Sequence, residues 1–110
     1  MEISNIVDAL AALAHETRLK VFRLLVQAGE EGLAAGAISE KLALAPATLS
    51  FHLAHLARTG LAQGRQEGRF VIYSADFANM TRLVGYLTEN CCGGRPCGPT
   101  TPRARRKITA

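Results

Sequence analysis

The chain has 110 residues, of which 48% are hydrophobic and 20% are charged, so it has room for one compact domain and excludes a large catalytic architecture. A core of this size without tryptophan buries a modest apolar area, and we expect an oligomer whose interface supplements it. The net charge is +4, but residues 1–90 carry eight basic and nine acidic groups, so the whole excess lies in the last twenty residues. DNA binding therefore has to be argued from a local surface and not from global charge.

Two amphipathic helices are predicted at the start of the chain. Apolar residues recur at helical spacing from Ile3 to Leu13 and predict a first helix over 4–14. A second helix is predicted to begin near 15–17 and to end at Gly29, because glycine commonly follows the last turn of a helix. The apolar stripe of this second helix is expected to face the core.

A helix-turn-helix is predicted in the middle of the chain. A short helix is predicted over 35–42, followed by a tight connection over 43–45. The next helix is predicted to start at Pro46, since proline is tolerated at the first residue of a helix, and to run to about Thr59 before Gly60 ends it. Two helices joined by a turn of this length are typical of the helix-turn-helix motif.

A β-hairpin and a last helix complete the predicted elements. β-prone runs over 61–65 and 69–74 flank a turn at 66–68, and we expect them to pair as a wing. Apolar residues over 77–87 recur at positions i, i+3, i+4 and i+7 and predict a helix that ends near Asn90.

These elements predict one mainly α domain with a β-hairpin, a winged helix-turn-helix, over residues 1–90. Residues 91–110 contain three of the four prolines and a basic cluster, so we expect a flexible tail. The N-terminus shows no leader pattern and no apolar run approaches the length that spans a bilayer. We therefore expect a cytoplasmic protein with no membrane partner. We expect no enzyme activity, because no predicted element carries a Cys–His pair, paired carboxylates or a phosphate-binding glycine loop.

The helix over 46–59 has an outward face suited to DNA. At about 100° per residue its leucines share a core-facing sector, and the opposite face carries no acidic residue. Hydroxyl and imidazole groups can bond to base edges and phosphates, and a phenyl ring can contact a thymine methyl group. The residues of this helix that we expect to contact DNA are Thr48, Ser50, Phe51, His52 and His55. Two alternatives stay open: an outward phenylalanine flanked by alanines also suits a protein–protein surface, and His52 could instead tie the helix to its neighbour.

Two arginines flank the tip of the predicted hairpin. Arg65 and Arg69 are expected to reach the minor groove or the DNA backbone, because the guanidinium group is a planar set of donors. Glu67 lies between them and partly cancels their charge. The alternative is that charged residues on a hairpin only protect its edge from aggregation.

Several segments together resemble the ArsR/SmtB family of metal-responsive repressors. The segments that carry this resemblance are 13–19, 50–53 with Leu56, 60–61 and 65–73. The resemblance implies a winged helix-turn-helix homodimer, joined through its first and last helices, that binds double-stranded operator DNA and releases it when an ion binds. One position departs from the family pattern, because Phe51 stands where a second histidine usually follows the serine.

The three cysteines, Cys91, Cys92 and Cys97, lie within seven positions, which is not the spread of a secreted disulfide framework. Glycines between them let the loop fold back so that three sulfurs can converge. Three thiolates without a histidine form a soft site. Zinc prefers a fourth protein ligand, whereas As(III) is satisfied by three thiolates.

The family resemblance implies the same assignment. Two other family ion sites are missing here, because residues 35–37 include no cysteine, and Ala78 and Glu89 stand where the last helix would need histidines. The cluster is similar to the C-terminal three-cysteine site of arsenite-responsive family members. The resemblance thus implies that Cys91, Cys92 and Cys97 are metal ligands and that As(III), or alternatively Sb(III), is the effector.

Other uses of the thiols remain open. Neighbouring cysteines are poor disulfide partners, because their Cα atoms lie only about 3.8 Å apart. A bridge from Cys97 to either Cys91 or Cys92 is compatible with the spacing, so a thiol redox-responsive repressor is the main competitor. A trivalent organoarsenical with room for two thiolates could use Cys91 and Cys92 alone. The last alternative is exposed thiols without a function.

Overall fold

The computed structural model describes residues 2–97 and contains the five predicted helices and both predicted strands in the predicted order, together with a short strand and a 3-10 helix that the sequence did not predict. The elements are α1 (Ile3–Leu13), α2 (Glu16–Ala28), β1 (Leu33–Ala34), α3 (Ala35–Leu42), α4 (Pro46–Arg58), β2 (Ala62–Glu67), β3 (Phe70–Ala75), α5 (Phe77–Thr88) and a 3-10 helix (Cys91–Gly94). A mainly α winged helix-turn-helix is therefore confirmed, with each predicted boundary within two residues of the observed one. The rest of the predicted tail, 98–110 with its basic cluster, lies outside the described residues.

The sheet has one strand more than the sequence predicts. β1 pairs antiparallel with β3 through Leu33 and Tyr73, which gives the strand order β1-β3-β2. The hairpin register also differs from the prediction, because Glu67 pairs with Phe70 and the turn is moved towards β3. Gly68, with φ +61°, supplies the positive φ that a two-residue hairpin turn needs.

The core is formed by the inner faces of the helices. In α4 the three leucines that periodicity assigned to the core are at most 1% exposed, so the predicted orientation of this helix is correct. The other core residues of α1–α3 and α5 are Ile6, Ala9, Ala12, Val21, Phe22, Leu25, Ile38 and Leu83. Burial of this apolar surface is the main stabilising term of the domain.

The turn before α4 is held by local geometry. Ala43 adopts a left-handed conformation with φ +54°, and the Leu44 amide donates to the Ser39 carbonyl at 3.0 Å. The Ser39 hydroxyl in turn donates to the Leu44 carbonyl. Pro46 then opens α4 at a position where no amide donor is needed. These contacts fix the angle at which α4 leaves α3.

Helix α5 is attached to the domain mainly at its start. Asp76 caps it by accepting from the Asn79 amide at 3.0 Å, and the Asn79 side chain donates to the Gly60 carbonyl at the end of α4, at 2.9 Å. Leu83 is the one buried residue of α5. Within residues 2–97 no helix combines the length and apolar character that crossing a bilayer requires.

Candidate functional site

The outward face of α4 is exposed and free of negative charge. Thr48, Ser50 and Phe51 are all exposed, and Phe51 is 63% exposed to solvent. The helix contains no acidic residue, and Arg58 is the one permanent cation on it. This face can therefore approach a DNA groove without repulsion and offers hydroxyl and phenyl groups to base edges.

The structure places His52 beneath that face, where the alternative interpretation of the sequence put it. Its side chain is only 6% exposed, and its Nδ1 atom lies 3.3 Å from Nη1 of Arg18 on α2. His55, one turn further along α4, is partly buried. Of the five residues that sequence assigned to DNA on α4, three are thus on the surface and two lie at or below its edge.

Both imidazoles of α4 favour the neutral form. Burial is the largest cause that lowers the pKa of His52, and the charges of His15, Arg18 and His55 act in the same direction. Burial also lowers the pKa of His55 most, followed by the charge of Arg18 and then of Arg58. At neutral pH these side chains are therefore hydrogen-bonding groups and not phosphate-binding cations.

The two wing arginines are in different environments. Arg65 forms an ion pair with Glu67, and its Nη2 atom donates to the Glu31 carbonyl at 2.8 Å. The second of these bonds ties the wing to the loop that precedes β1. Arg69 makes no side-chain hydrogen bond or ion pair with any other residue of the described range, so it is the wing cation that is free to reach a phosphate.

The three cysteines come together just beyond α5, as the sequence predicts. Asn90 and Cys92 have φ near +56°, and this left-handed backbone turns the chain back on itself. The Cys91 and Cys97 sulfurs are 3.0 Å apart, the Cys91 and Cys92 sulfurs are 3.9 Å apart, and all three lie within 4.8 Å of one another. Each of these residues is exposed.

Cys92 and Cys97 form a disulfide, with their Cα atoms 5.6 Å apart, and Cys91 is the free thiol. This is one of the two bridges that the sequence left open. The cluster consequently has two chemical states: an oxidised one with a single thiol, and a reduced one with three thiols in one place. A donor set of three thiols suits a soft three-coordinate ion, and among residues 2–97 no histidine or carboxylate joins the three sulfurs in this group.

One residue that sequence analysis missed is Arg18. It lies on the same side of α2 as Phe22 and Leu25, is 9% exposed, and holds His52 from below. Its spacing from these two apolar residues is the helical one, so a charged residue on the core-facing stripe was the available signal.

Comparisons with known proteins agree with this architecture. A family model described as a helix-turn-helix domain matches residues 13–65. The chain is 32% identical over 83 residues to the transcriptional activator HlyU of Vibrio cholerae, an alignment that covers 76% of this chain and 74% of HlyU. It is 36% identical over 78 residues to a Halobacterium salinarum protein assigned by name as the arsenical resistance operon repressor ArsR, covering 71% of this chain and 60% of that one.

Solved structures show the same fold. HlyU of Vibrio cholerae superimposes with a TM-score of 0.66 at 32% identity, over 84% of this chain and 99% of HlyU. The homodimeric winged helix-turn-helix DNA-binding domain of Mycobacterium bovis Mb0332 matches with a TM-score of 0.64 at 24% identity, over 88% of this chain and 90% of that chain. The relatives are named as regulators of transcription and not as enzymes. The chain belongs to the ArsR family of DNA-binding transcriptional regulators.

Proposed function

We propose that this regulator is an arsenite-responsive repressor that binds operator DNA as a homodimer and releases it when Cys91, Cys92 and Cys97 bind As(III). The observation that carries the proposal is the convergence of three sulfurs at the end of α5. The name of the Halobacterium salinarum relative, an arsenical resistance operon repressor, supports the same effector class.

The DNA-binding part of the proposal rests on α4 and the wing. Thr48, Ser50 and Phe51 read the major groove, His55 contributes at the edge of this face, and Arg69 contacts the backbone beside it. Arg65 holds the wing in position through Glu31, and His52 acts from below the surface. In a two-fold dimer one such set meets each half-site of the operator.

The dimer seam is proposed on the outer faces of α1 and α5. Ile3 and Val7 on α1 are 65% and 56% exposed, and Val84 and Leu87 on α5 are 54% and 58% exposed. Large apolar side chains exposed on the outer faces of both helices are typical of an interface. The homodimeric state of the similar Mb0332 domain supports a second copy of this chain as the occupant.

The effector chemistry is a ligand exchange without electron transfer. Arsenious acid, As(OH)₃, exchanges its three hydroxyl groups for three thiolates, so that three As–S bonds form and the three thiol protons leave with the hydroxyls as water. Antimonite can undergo the same exchange. A trivalent organoarsenical has two exchangeable positions and needs only two of the thiols.

Coupling to DNA follows from the position of the cluster. Cys91 is three residues beyond Thr88, the last residue of α5, so closing three sulfurs around one ion rearranges the end of the helix that forms the proposed seam. A change there alters the spacing of the two α4 helices. A coupling free energy of about 1–3 kcal/mol between arsenite binding and operator binding is enough to release the DNA. Linkage then requires that operator DNA weaken arsenite binding by the same factor.

The second candidate is a thiol redox-responsive regulator, which the Cys92–Cys97 disulfide specifically favours. Here an oxidant such as peroxide would take two electrons from the two thiols, and bridge formation would replace metalloid binding as the event at the end of α5. The Cys91→Ser variant separates the candidates, because it removes one arsenite ligand and leaves both disulfide partners.

The test uses the purified full chain and an operator selected from a random DNA library. Release of the operator is followed by fluorescence anisotropy during titration with arsenite, antimonite, a monomethylated trivalent arsenical, Zn²⁺ and, without reductant, peroxide. We expect arsenite to release wild-type protein and to have little effect on any of the three Cys→Ser variants. Release by peroxide alone, retained in Cys91→Ser, would support the redox candidate and overturn the arsenite proposal.

A further inference from the structure

A buried guanidinium group connects three helices beneath the DNA-reading face. Arg18 of α2 is 9% exposed. Its Nε atom donates to the Ala12 carbonyl at the end of α1, at 2.8 Å, and its Nη1 atom lies 3.3 Å from Nδ1 of His52 on α4. Within the described residues Arg18 forms no salt bridge. A buried cation without a counterion is costly unless its donors are used, and here the donors are used to hold two other helices.

The pairing determines the chemical form of His52. Arginine has only donors, so Nδ1 of His52 has to be the acceptor, and the ring proton is on Nε2. An imidazolium ring would present an N–H group to a guanidinium N–H group at 3.3 Å, with two like charges facing each other. The contact therefore exists only while His52 is neutral.

The contact also limits how α4 can rotate. The hydrophobic effect that buries the leucines beneath α4 has no directional preference, whereas a hydrogen bond has a defined length and angle. The rotation of α4 about its own axis decides where Phe51 points, and the Phe51 ring packs edge-on against the His52 ring at 5.5 Å. The bond that orients His52 therefore also orients Phe51, its neighbour on the reading face.

We infer that Arg18 and His52 are a positioning pair for operator recognition: Arg18 orients α4 without touching DNA, and protonation of His52 releases α4 and weakens operator binding. The inference rests on α4 being the DNA-reading helix and is independent of the effector that the cysteines bind.

The surroundings of His52 reinforce this sensitivity to acid. The titratable and charged groups that face it are Arg18 and His15 from the side of α2, and His55 from α4 itself. The His15 ring centre is 5.0 Å from that of His52. All of these groups are positive or become positive in acid, and none is a carboxylate, so nothing in this set compensates a charge on His52.

The first test compares Arg18→Met with Arg23→Met, which makes the same change at an exposed position of α2. Operator affinity of the reduced, metalloid-free protein is measured by anisotropy over a range of salt concentrations. We expect Arg18→Met to weaken binding about tenfold, or ~1.4 kcal/mol, with an unchanged salt slope, and Arg23→Met to have little effect. In Arg69→Ala, which loses a phosphate contact, the slope of log affinity against log salt concentration should fall in magnitude by about one. An equal fall in Arg18→Met would mean that Arg18 touches phosphate and would overturn the inference.

The second test does not depend on the stability of the Arg18 variant. The chain has three histidines, so the variant with His15→Asn and His55→Asn keeps His52 alone, and asparagine can replace His15 as the cap of α2. We expect its operator affinity to fall as the pH decreases below the ordinary histidine pKa of 6.5, because burial lowers the pKa of His52 from that value. Adding His52→Asn retains an uncharged acceptor and should remove this dependence.

Circular dichroism at each pH ensures that only folded protein is compared. The same pH dependence with and without His52 would overturn the inference, because the dependence would then come from the DNA or from other groups.

Discussion

Replacing Gly32 by alanine tests how closely β1 has to approach β3. Gly32 has φ +74°, and a Cβ atom there would lie 2.3 Å from the Tyr73 carbonyl oxygen and 3.1 Å from Cγ2 of Ile72. The positive φ costs about 1–2 kcal/mol for an L-residue. The clash also has to push β1 off β3, and losing that short pairing costs ~0.5–1.5 kcal/mol per hydrogen bond. We expect the free energy of unfolding to fall by about 2–4 kcal/mol.

Gly68→Ala is the matched control, because Gly68 has φ +61° but no atom within 4 Å of a built Cβ. Its free energy of unfolding should fall only by the cost of a positive φ for an L-residue, about 1–2 kcal/mol. Both variants are unfolded in urea at one protein concentration with reductant present, since dimerisation makes apparent stability depend on concentration. Equal losses in the two variants would refute the close approach of β1 to β3.

The same substitution should affect DNA binding through the wing. The Glu31 carbonyl that accepts from Arg65 belongs to the residue just before Gly32, so a shift of β1 moves the anchor of the hairpin. We expect Gly32→Ala to weaken operator binding several-fold more than Gly68→Ala. Operator affinity that is equal in the two folded variants would show that the Arg65 bond does not position the wing.

Three further predictions concern the cluster, the seam and pH. Cys91→Ser should raise the arsenite concentration needed for operator release by at least about tenfold, while the Cys92–Cys97 disulfide still forms on oxidation, as thiol counting can verify. Val84→Glu should raise the dimer dissociation constant at least about tenfold, since an unpaired carboxylate would be buried, and sedimentation should show a smaller change for Ala78→Glu, an exposed position about 120° from Val84 around α5. The lowered pKa of His52 means that the unfolded chain binds more protons in acid. The stabilising contribution of neutral His52 is therefore complete above its ordinary pKa of 6.5 and is lost as the pH falls through its lower pKa in the folded protein. Over that pH range the urea midpoint should fall less in His52→Asn than in the wild-type protein.

The spacing of apolar residues was sufficient to predict the buried side of an element wherever the element is long and has one buried face. Leu49, Leu53 and Leu56 follow the helical period, so the core side of α4 and the exposure of Phe51 on the other side could both be predicted. The meeting of the cysteines beyond α5 was predictable for a different reason, because glycines and short chain distance leave few ways for the sulfurs to stay apart.

Long-range contacts were not predictable in this way. β1 has two residues and no alternation to detect, and it exists because β3 pairs with it. Arg65 and the Glu31 carbonyl are 34 residues apart in the chain, and nothing local indicates the bond between them. The sequence also left two roles for His52 open, since helical spacing puts it at the boundary and only the position of Arg18 on α2 decides which way it bonds.

The distribution of charge explains why a small movement of α4 is enough to regulate DNA binding. Each phosphate contact adds about 0.9 to the salt slope of affinity, but α4 carries Arg58 as its only permanent cation, and Arg65 of the wing is already paired with Glu67. In the proposed function, most of the discrimination between DNA sequences then comes from short-range contacts of Thr48, Ser50 and Phe51, and a small rotation of α4 is enough to break them. We propose that two devices act on this orientation: the cysteine cluster acts through the proposed seam, and Arg18 acts through His52. We therefore expect effects of arsenite and of acid on operator affinity that add in the wild-type chain, while His52→Asn removes only the second.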